Sequence, residues 1–469
     1  MARSTAISAK KKGLADKTSR ADLSRRKILD AARTVFARYP YGAASVRKIE
    51  KAGGFNYALI RYYFGSKKGL FEAVALELAN EYIQHLLPII REALDHADQE
   101  TALNRFINQL FEFGFAHPDG PATIMLNIGQ AQLFDGTLMG LSAIRRYFSQ
   151  VTKIMTESLS FPASEGEIDT WVFVFTMLAA NFIGARAFHA AALHLDPESD
   201  QYRQWVKRAV LSVFAPVLKG FLHGRGGDPQ IAISKDAQAF IKQIPAPEET
   251  LVRKKTKGDM TREKILDAAR SVFTKRPYTT ASIRQIGQAG GFDFTIIHHY
   301  FPSKKELAEA VGDQFYNDFF RQSALFWLDL IQQGAHGRVF LSAGFSRYIG
   351  SLLGYLFANH HGPAIMMQNI AQSNPRQILP AFHFSLRFYS DISSRLKTLL
   401  AIRAPEETVR MWQYCLVVLI SNCVGAPDYP ARIIGCSPQE PQYRQWVVNT
   451  LLFLFYPGLK AMVETGPPA

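Results

Sequence analysis

The sequence predicts an all-α protein built from two tandem copies of one unit, each copy being three short helices followed by a larger helical bundle. Three observations lead there. The chain repeats itself: Lys27-Ile-Leu-Asp-Ala-Ala-Arg33 returns as Lys264-Ile-Leu-Asp-Ala-Ala-Arg270, Gly53-Gly-Phe55 as Gly290-Gly-Phe292, and Tyr63-Phe-Gly-Ser-Lys-Lys68 as Tyr300-Phe-Pro-Ser-Lys-Lys305. These strings share one shift of about 237 positions, and Gln201-Tyr-Arg-Gln-Trp-Val206 returns as Gln442-Tyr-Arg-Gln-Trp-Val447 at about 241, so one long unit is repeated. Apolar residues recur at helical spacing, with no convincing period-2 alternation. With 469 residues, 48% of them hydrophobic, each copy is large enough to bury its own core.

The elements follow in order. Residues 1–24 read as a basic, disordered arm, poor in aromatic side chains. Residues 25–70 read as the first small domain. Ile28, Leu29, Ala32, Val35 and Phe36 form the stripe of an amphipathic helix, which Tyr39-Pro-Tyr-Gly42 ends. Ser45 caps a second helix that Gly53-Gly54 closes, since glycine takes the left-handed conformation cheaply. Asn56 caps a third helix to Tyr63, and Ser66 caps a fourth running toward Leu87. Residues 71–222 then read as a helical bundle, with segments at 106–115, 123–133, 144–159, 168–195 and 202–222. Residues 223–260 form a Gly- and Pro-containing linker ending in a second basic arm, with room for a short helix around Asp236 to Ile241. The order then repeats: a small domain at 261–307, with Ser282, Asp293 and Ser303 as caps, and a bundle at 308–469.

Charge narrows the partners. The net charge is +14 at pH 7. Arg3, Lys10, Lys11, Lys12, Lys17, Arg20, Arg25, Arg26 and Lys27 precede the first copy, and Arg253, Lys254, Lys255, Lys257, Arg262 and Lys264 the second. A basic arm recurring at the same place in both copies points to a polyanion. Cys415, Cys423 and Cys436 form no CxxC pair, give no disulfide framework and fit core packing in a reducing cytoplasm. No signal peptide is visible, and the most apolar stretch, Trp171 to Ala180, is cut short by Asn181, Arg186 and His189, so a buried bundle helix is expected rather than a membrane span. There is no P-loop, GxGxxG, HExxH, GxSxG or zinc-like Cys/His spacing, and no recurring carboxylate pair; neither enzyme chemistry, metal nor cofactor is expected.

Two short helices joined by a Gly-containing turn form a helix-turn-helix whose second helix can enter the DNA major groove. Here the arrangement occurs twice, each time after a basic arm and before a Ser-Lys-Lys helix start. This order resembles the TetR/AcrR family of bacterial transcriptional repressors over about 45–50 residues in each copy. The resemblance implies DNA-binding domains at 25–70 and 261–307, and bundles that bind a small-molecule effector and dimerise. The chain looks like a tandem duplication of such a protein.

The candidate DNA contacts follow. Ser45 and Ser282 cap the second helix and are placed to touch phosphate, capping alone being the competing role. Arg47 and Arg284, one turn in, can bond guanine or phosphate, or stay solvated. The third helix offers Asn56, Tyr57, Ala58, Leu59, Arg61 and Tyr62 in the first copy, and Phe294, Thr295, Ile296, His298 and His299 in the second. Asn56 and Asp293 are most simply caps. Tyr57 and Phe294 can meet thymine methyls or pack in the core, whereas Ile60, Phe64, Ile297 and Phe301 read as core. Arg61 and His298 stand where the family often has a phosphate-contacting tyrosine, so Tyr62 and His299 are the candidate substitutes. Lys67 and Lys304, each after a capping serine, are expected at phosphate.

By position, the resemblance makes 168–195 with 202–222, and 407–425 with 443–463, a four-helix interface. It forms within one chain as a pseudo-dimer or between chains as a homodimer. Apolar residues of the intervening helices are the candidate effector contacts: Phe111, Phe113, Met125, Phe134, Trp171, Phe175 and Met177 in the first copy, and Phe345, Met366, Met367, Phe382, Phe384 and Trp412 in the second. Core packing competes for all of them. No histidine among His117, His189, His194, His360 and His361 is assigned to ligand. The expected partners are a double-stranded DNA operator and an unidentified small molecule. Nonspecific or architectural DNA binding, and a bundle that takes a protein partner, are the rival readings.

Overall fold

A computed structural model of the chain describes residues 20–94, 99–128, 140–158, 163–223, 230–231, 256–276, 278–334, 339–372, 397, 400 and 402–464. The first half comprises α1 (20–36), α2 (Val46–Gly53), α3 (Ala58–Phe64), α4 (Lys67–Leu94), α5 (Gln99–Ala116), α6 (Asp119–Ile128), α7 (Leu141–Ser158), α8 (Glu165–Gly184), α9 (Arg186–Ala192) and α10 (Asp200–His223). The second comprises α11 (Lys257–Lys275), α12 (Ile283–Gly290), α13 (Phe294–Tyr300), α14 (Lys304–Gly334), α15 (Leu341–Ala358), α16 (His361–Gln372), α17 (Glu406–Gly425), α18 (Asp428–Ile434) and α19 (Pro441–Glu464). Among the described residues the fold is helical with one exception: Gln230–Ile231 of the connector pairs antiparallel with Val339–Phe340.

Several boundaries differ from the sequence reading. Residues 20–24, assigned to the arm, already belong to α1. The second small domain starts at Lys257 rather than 261, because Thr256 and Asp259 form a reciprocal capping box. Helix α4 runs through Pro88 to Leu94. The segment 168–195 is two helices, broken after Gly184, where a Cβ would run into the Pro121 carbonyl of α6; Gly425 stands against the Pro363 carbonyl in the same way. The arm before residue 20, the stretch 236–241 and the arm residues Arg253 to Lys255 lie outside the described residues.

Helices α8 and α10 pack against α17 and α19 within the chain. One apolar core runs through both halves, while each small domain keeps a separate core. The contacts come in related pairs. Phe173 of α8 meets Trp446 of α19 edge-on at 5.3 Å between ring centres, and Tyr414 of α17 meets Trp205 of α10 at 5.2 Å. Asn181 and Asn422, equivalent residues of the two copies, bond each other at 3.2 Å in the buried centre. Helices α8 and α19 are long and apolar enough to cross a membrane by length and composition. This corrects the sequence reading of the 171–180 stretch as too short, but both helices bury apolar faces in this shared bundle.

The pairs are not all equivalent. His189 of α9 is fully buried, with Nδ1 2.9 Å from the Tyr414 hydroxyl across the interface. Burial pulls its pKa down from 6.5 to about 3. The folded chain therefore holds a neutral imidazole where the unfolded chain takes up a proton. Stability is unaffected by this group above pH 6.5 and is lost progressively as pH falls from 6.5 toward 3, by up to about 1.4 kcal/mol per pH unit. His189→Gln is expected to flatten the dependence of urea-unfolding free energy on pH by about that slope between roughly pH 6 and 4. An unchanged slope would show that other groups carry the acid sensitivity.

Candidate nucleic-acid interface

Each small domain presents a short helix on a compact apolar base. In the first, Ile28, Ala32 and Phe36 of α1, Ile49 of α2, Ile60 of α3 and Leu70 and Phe71 of α4 are buried together. In the second, Ile265, Ala269, Phe273, Ile286, Ile297 and Leu307 do the same work. The Ser45 hydroxyl accepts from the Lys48 N–H at 3.3 Å, and Ser282 forms a full capping box with Gln285. Gly54 (φ 60°) and Gly291 (φ 70°) turn the chain through the left-handed region, which sets α3 and α13 across α2 and α12. Asn56 Oδ1 accepts from the Ala58 N–H at 2.8 Å, and Asp293 Oδ1 from the Thr295 N–H at 2.8 Å and its hydroxyl at 2.7 Å. These bonds, backbone first, hold the Asp293 carboxyl below its usual range, so the second short helix begins with a fixed negative charge.

The outward face is unusual for a soluble surface. Nine large apolar side chains are exposed among the described residues, and five stand on these two short helices or their caps: Tyr57 (58%), Leu59 (36%), Tyr62 (80%), Phe294 (45%) and Ile296 (39%). Asn56, Ala58, Arg61, Thr295, His298 and His299 are exposed beside them, as are Ser45, Arg47, Ser282 and Arg284 on the preceding helices. Only Ile60 and Ile297 turn fully inward from the short helices. For Tyr57 and Phe294 this decides between core and surface in favour of the surface. A clustered apolar surface flanked by arginine marks a binding face.

Lys67 and Lys304 have partners that the sequence reading did not name. Each is expected at phosphate, and each is half-buried with its ammonium already engaged inside its own domain. Lys67 Nζ donates to the Tyr41 carbonyl at 2.9 Å and lies 4.1 Å from the centre of the Tyr41 ring. Lys304 Nζ donates to the carbonyls of Tyr278 (2.9 Å) and Ala281 (3.0 Å) and lies 4.3 Å from the Tyr278 ring centre. Burial lowers both pKa values. Their first role is to fasten the start of α4 and α14 to the loop before α2 and α12. Sequence reasoning missed the tyrosines, although Tyr41 and Tyr278 are related by the same repeat shift as the lysines.

The small domains are fixed to their bundles by different chemistry. Arg33 of α1 bonds Glu81 of α4 and Asp119 of α6, each at 2.7 Å, and the Tyr41 N–H donates to Asn127 Oδ1 of α6 at 2.8 Å. Its counterpart Arg270 bonds the neutral Gln314 at 3.0 Å, and Thr274 bonds His361 Nδ1 at 3.1 Å.

Two cavities lie behind these contacts. The first half encloses about 110 Å³, walled by residues that include Phe71, Asn127, Tyr147, Phe175 and Tyr429. The second encloses about 40 Å³, walled by residues that include Tyr348, Met366 and Gln413. Of the candidate effector contacts, Phe175 and Met366 line these cavities. Phe111, Phe113, Met125, Trp171, Met177, Phe345, Met367 and Trp412 do not; they are buried in the packed core, Trp171 stacked on Phe175 and Trp412 donating to the Phe455 carbonyl. Phe134, Phe382 and Phe384 lie outside the described residues. Among the described residues there is no cluster of His, Cys, Asp or Glu able to hold a metal ion.

Comparison with known proteins agrees with the repeat. The pattern for bacterial regulatory proteins of the tetR family matches twice, at residues 28–74 and 265–311. The HTH-type transcriptional repressor Rv1474c of Mycobacterium tuberculosis is 38% identical over 80 residues, 16% of this chain and 43% of its own length. The HTH-type transcriptional repressor NicS of Pseudomonas putida is 30% identical over 108 residues, 22% of this chain and 47% of its own. The chain thus spans less than half the length of these curated relatives. A solved structure, the TetR Family Transcriptional Regulator PfmR from Thermus thermophilus, aligns at 20% identity with a TM-score of 0.27, covering 39% of this chain and 93% of that one.

The lysine clasp generates a stability prediction. Lys67→Met removes a donor from a part-buried carbonyl and a cation from a ring face, and is expected to cost about 1–2 kcal/mol in denaturant unfolding. In a double-mutant cycle with Tyr41→Leu the losses should be less than additive by about 0.5 kcal/mol or more; additivity would mean that the clasp contributes nothing.

Proposed function

We propose that the chain, which carries the tetR-family pattern twice, is a sequence-specific, ligand-responsive transcriptional repressor whose halves act as an intramolecular pseudo-dimer on an asymmetric operator. The observation that carries this reading is the exposure of Tyr57, Leu59 and Tyr62, and of Phe294 and Ile296, on two capped helices whose inner faces are fully seated. Apolar groups aimed outward beside Arg47 and Arg284 suit thymine methyls and guanine edges in a major groove. The relatives' names as transcriptional repressors support the sign of control.

Asymmetry follows from chemistry at equivalent positions. The first reader carries Arg61 with Lys48 and Lys51 nearby, where the second carries His298, Gln285 and Gln288. Asp293, ionised at the second reader's tip, repels phosphate and suits a cytosine amino group, whereas Asn56 is neutral. Two such faces prefer different half-sites. The basic arms add salt-dependent affinity without sequence information. A small molecule in the larger cavity shifts the balance between conformations only insofar as it prefers one of them. On this reading the protein works inside the cell, on double-stranded DNA, with no cofactor.

Selection of bound DNA from a random pool, followed by footprinting, tests this. Tyr57→Ala and Arg47→Ala are expected to weaken binding about 10- to 100-fold through one half-site, Phe294→Ala and Arg284→Ala through the other. A palindromic operator with interchangeable halves would sink the asymmetry. Equal competition by unrelated DNA at moderate salt would sink sequence specificity itself.

A further inference from the structure

The cavity of the first half is closed by a residue of the second. Tyr429 of α18 reaches across and lines it, whereas the smaller cavity is lined by second-half residues alone. The residue of the first half equivalent to Tyr429 is Phe188, which has no hydroxyl to offer. The arrangement is therefore one-sided.

Its polar groups are nearly all engaged. The Tyr82 hydroxyl donates to the His117 carbonyl at 2.7 Å, and the Thr123 and Thr176 hydroxyls to backbone carbonyls of their own helices. Tyr147 lies beside Thr176, whose influence partly offsets the rise that burial gives the Tyr147 pKa. Asn127 is held between the Thr123 carbonyl and the Tyr41 N–H. The Tyr429 hydroxyl is buried and has no hydrogen-bond partner. A buried hydroxyl without a partner is costly, and among the described residues no charged side chain lines the wall. A free volume of about 110 Å³ is of the order that admits a single ring, since an apolar cavity of about 150 Å³ takes up benzene.

We propose that this cavity binds a ring-sized, uncharged, largely apolar molecule that places one hydrogen-bond acceptor, such as a carbonyl oxygen, against the Tyr429 hydroxyl. One such ligand per chain then touches both halves. It also abuts Phe71 and Asn127, which support the loop of the first DNA-reading domain. This inference deepens the ligand-responsive part of the function proposed above and rests on it for its regulatory meaning. The binding chemistry stands on the cavity alone.

The test uses the full chain and two near-isosteric probes, cyclohexanone and methylenecyclohexane, titrated by protein NMR in the absence of DNA. Cyclohexanone is expected to bind at one equivalent per chain. Tyr429→Phe should weaken it about tenfold and leave methylenecyclohexane unchanged, because only the ketone loses a partner. The same variant should unfold at the same or a higher temperature than the wild type without ligand, since it deletes an unpartnered hydroxyl; a lower temperature would show that the hydroxyl already has a structural partner. Equal loss of both probes, loss of neither, two equivalents per chain, or no binding by either probe would overturn the proposal. Operator affinity is measured separately. If it is absent while the probe result holds, the repressor reading fails and the site survives; if the probes fail while DNA binding holds, only this inference falls.

Discussion

The burial of α8, α10, α17 and α19 against one another is the constraint on which the rest of the molecule depends. It joins the two bundles into one apolar core, so neither half's bundle is independent of the other. Apolar burial is non-directional and does not by itself choose a register. The polar contacts inside it do. The Asn181–Asn422 and His189–Tyr414 bonds form only when the helices lie as they do, and a slipped arrangement would break both. The paired aromatic contacts Phe173–Trp446 and Tyr414–Trp205 give the same register a second, two-fold-related lock.

Placing both copies in one chain changes what substitution can do. In a homodimer every change appears twice, so a favourable difference on one side is also imposed on the other. Here His189 faces Tyr414 on one side only, because the residues at the equivalent positions are Pro430 and Phe173. The same freedom separates Tyr429 from Phe188 and Arg61 from His298. The symmetric contacts sit in the shared bundle, where geometry must match. Apart from His189–Tyr414, those differences lie on the short helices and at the cavity wall.

Local chemistry was legible in the sequence, and its tertiary use was not. The repeat, the serine caps, the glycine turns and the outward positions of the reader helices are set by residues within one or two helical turns of each other, so spacing alone exposes them. The lysines show the limit. A lysine after a capping serine meets the local criteria for phosphate, and spacing does not record its reach to the Tyr41 carbonyl and ring, 26 positions back in sequence. Apolar spacing likewise marked Phe111, Trp171 and Trp412 as eligible for a cavity without distinguishing wall from filling. Tyr429 escaped notice because its cavity belongs to the other half. The break after Gly184 depends on how closely α6 approaches, which no periodicity records.

The same long-range contacts attach the two small domains to their bundles unequally. Asn127, on the wall of the larger cavity, accepts the Tyr41 N–H, and the Tyr41 carbonyl in turn accepts from Lys67 at the start of α4. Arg33 adds a charged clamp from α1 to both α4 and α6. A shift of α6 therefore acts on the first reader's loop through hydrogen bonds and on its first helix through an ion pair. In the second half the matching arginine bonds a neutral glutamine, and the cavity is smaller. An ion pair adds a Coulombic attraction that a bond from a guanidinium to a neutral amide lacks. The first small domain is thus tied to α6 by an ion pair, whereas the second is tied to α16 by the Thr274–His361 bond.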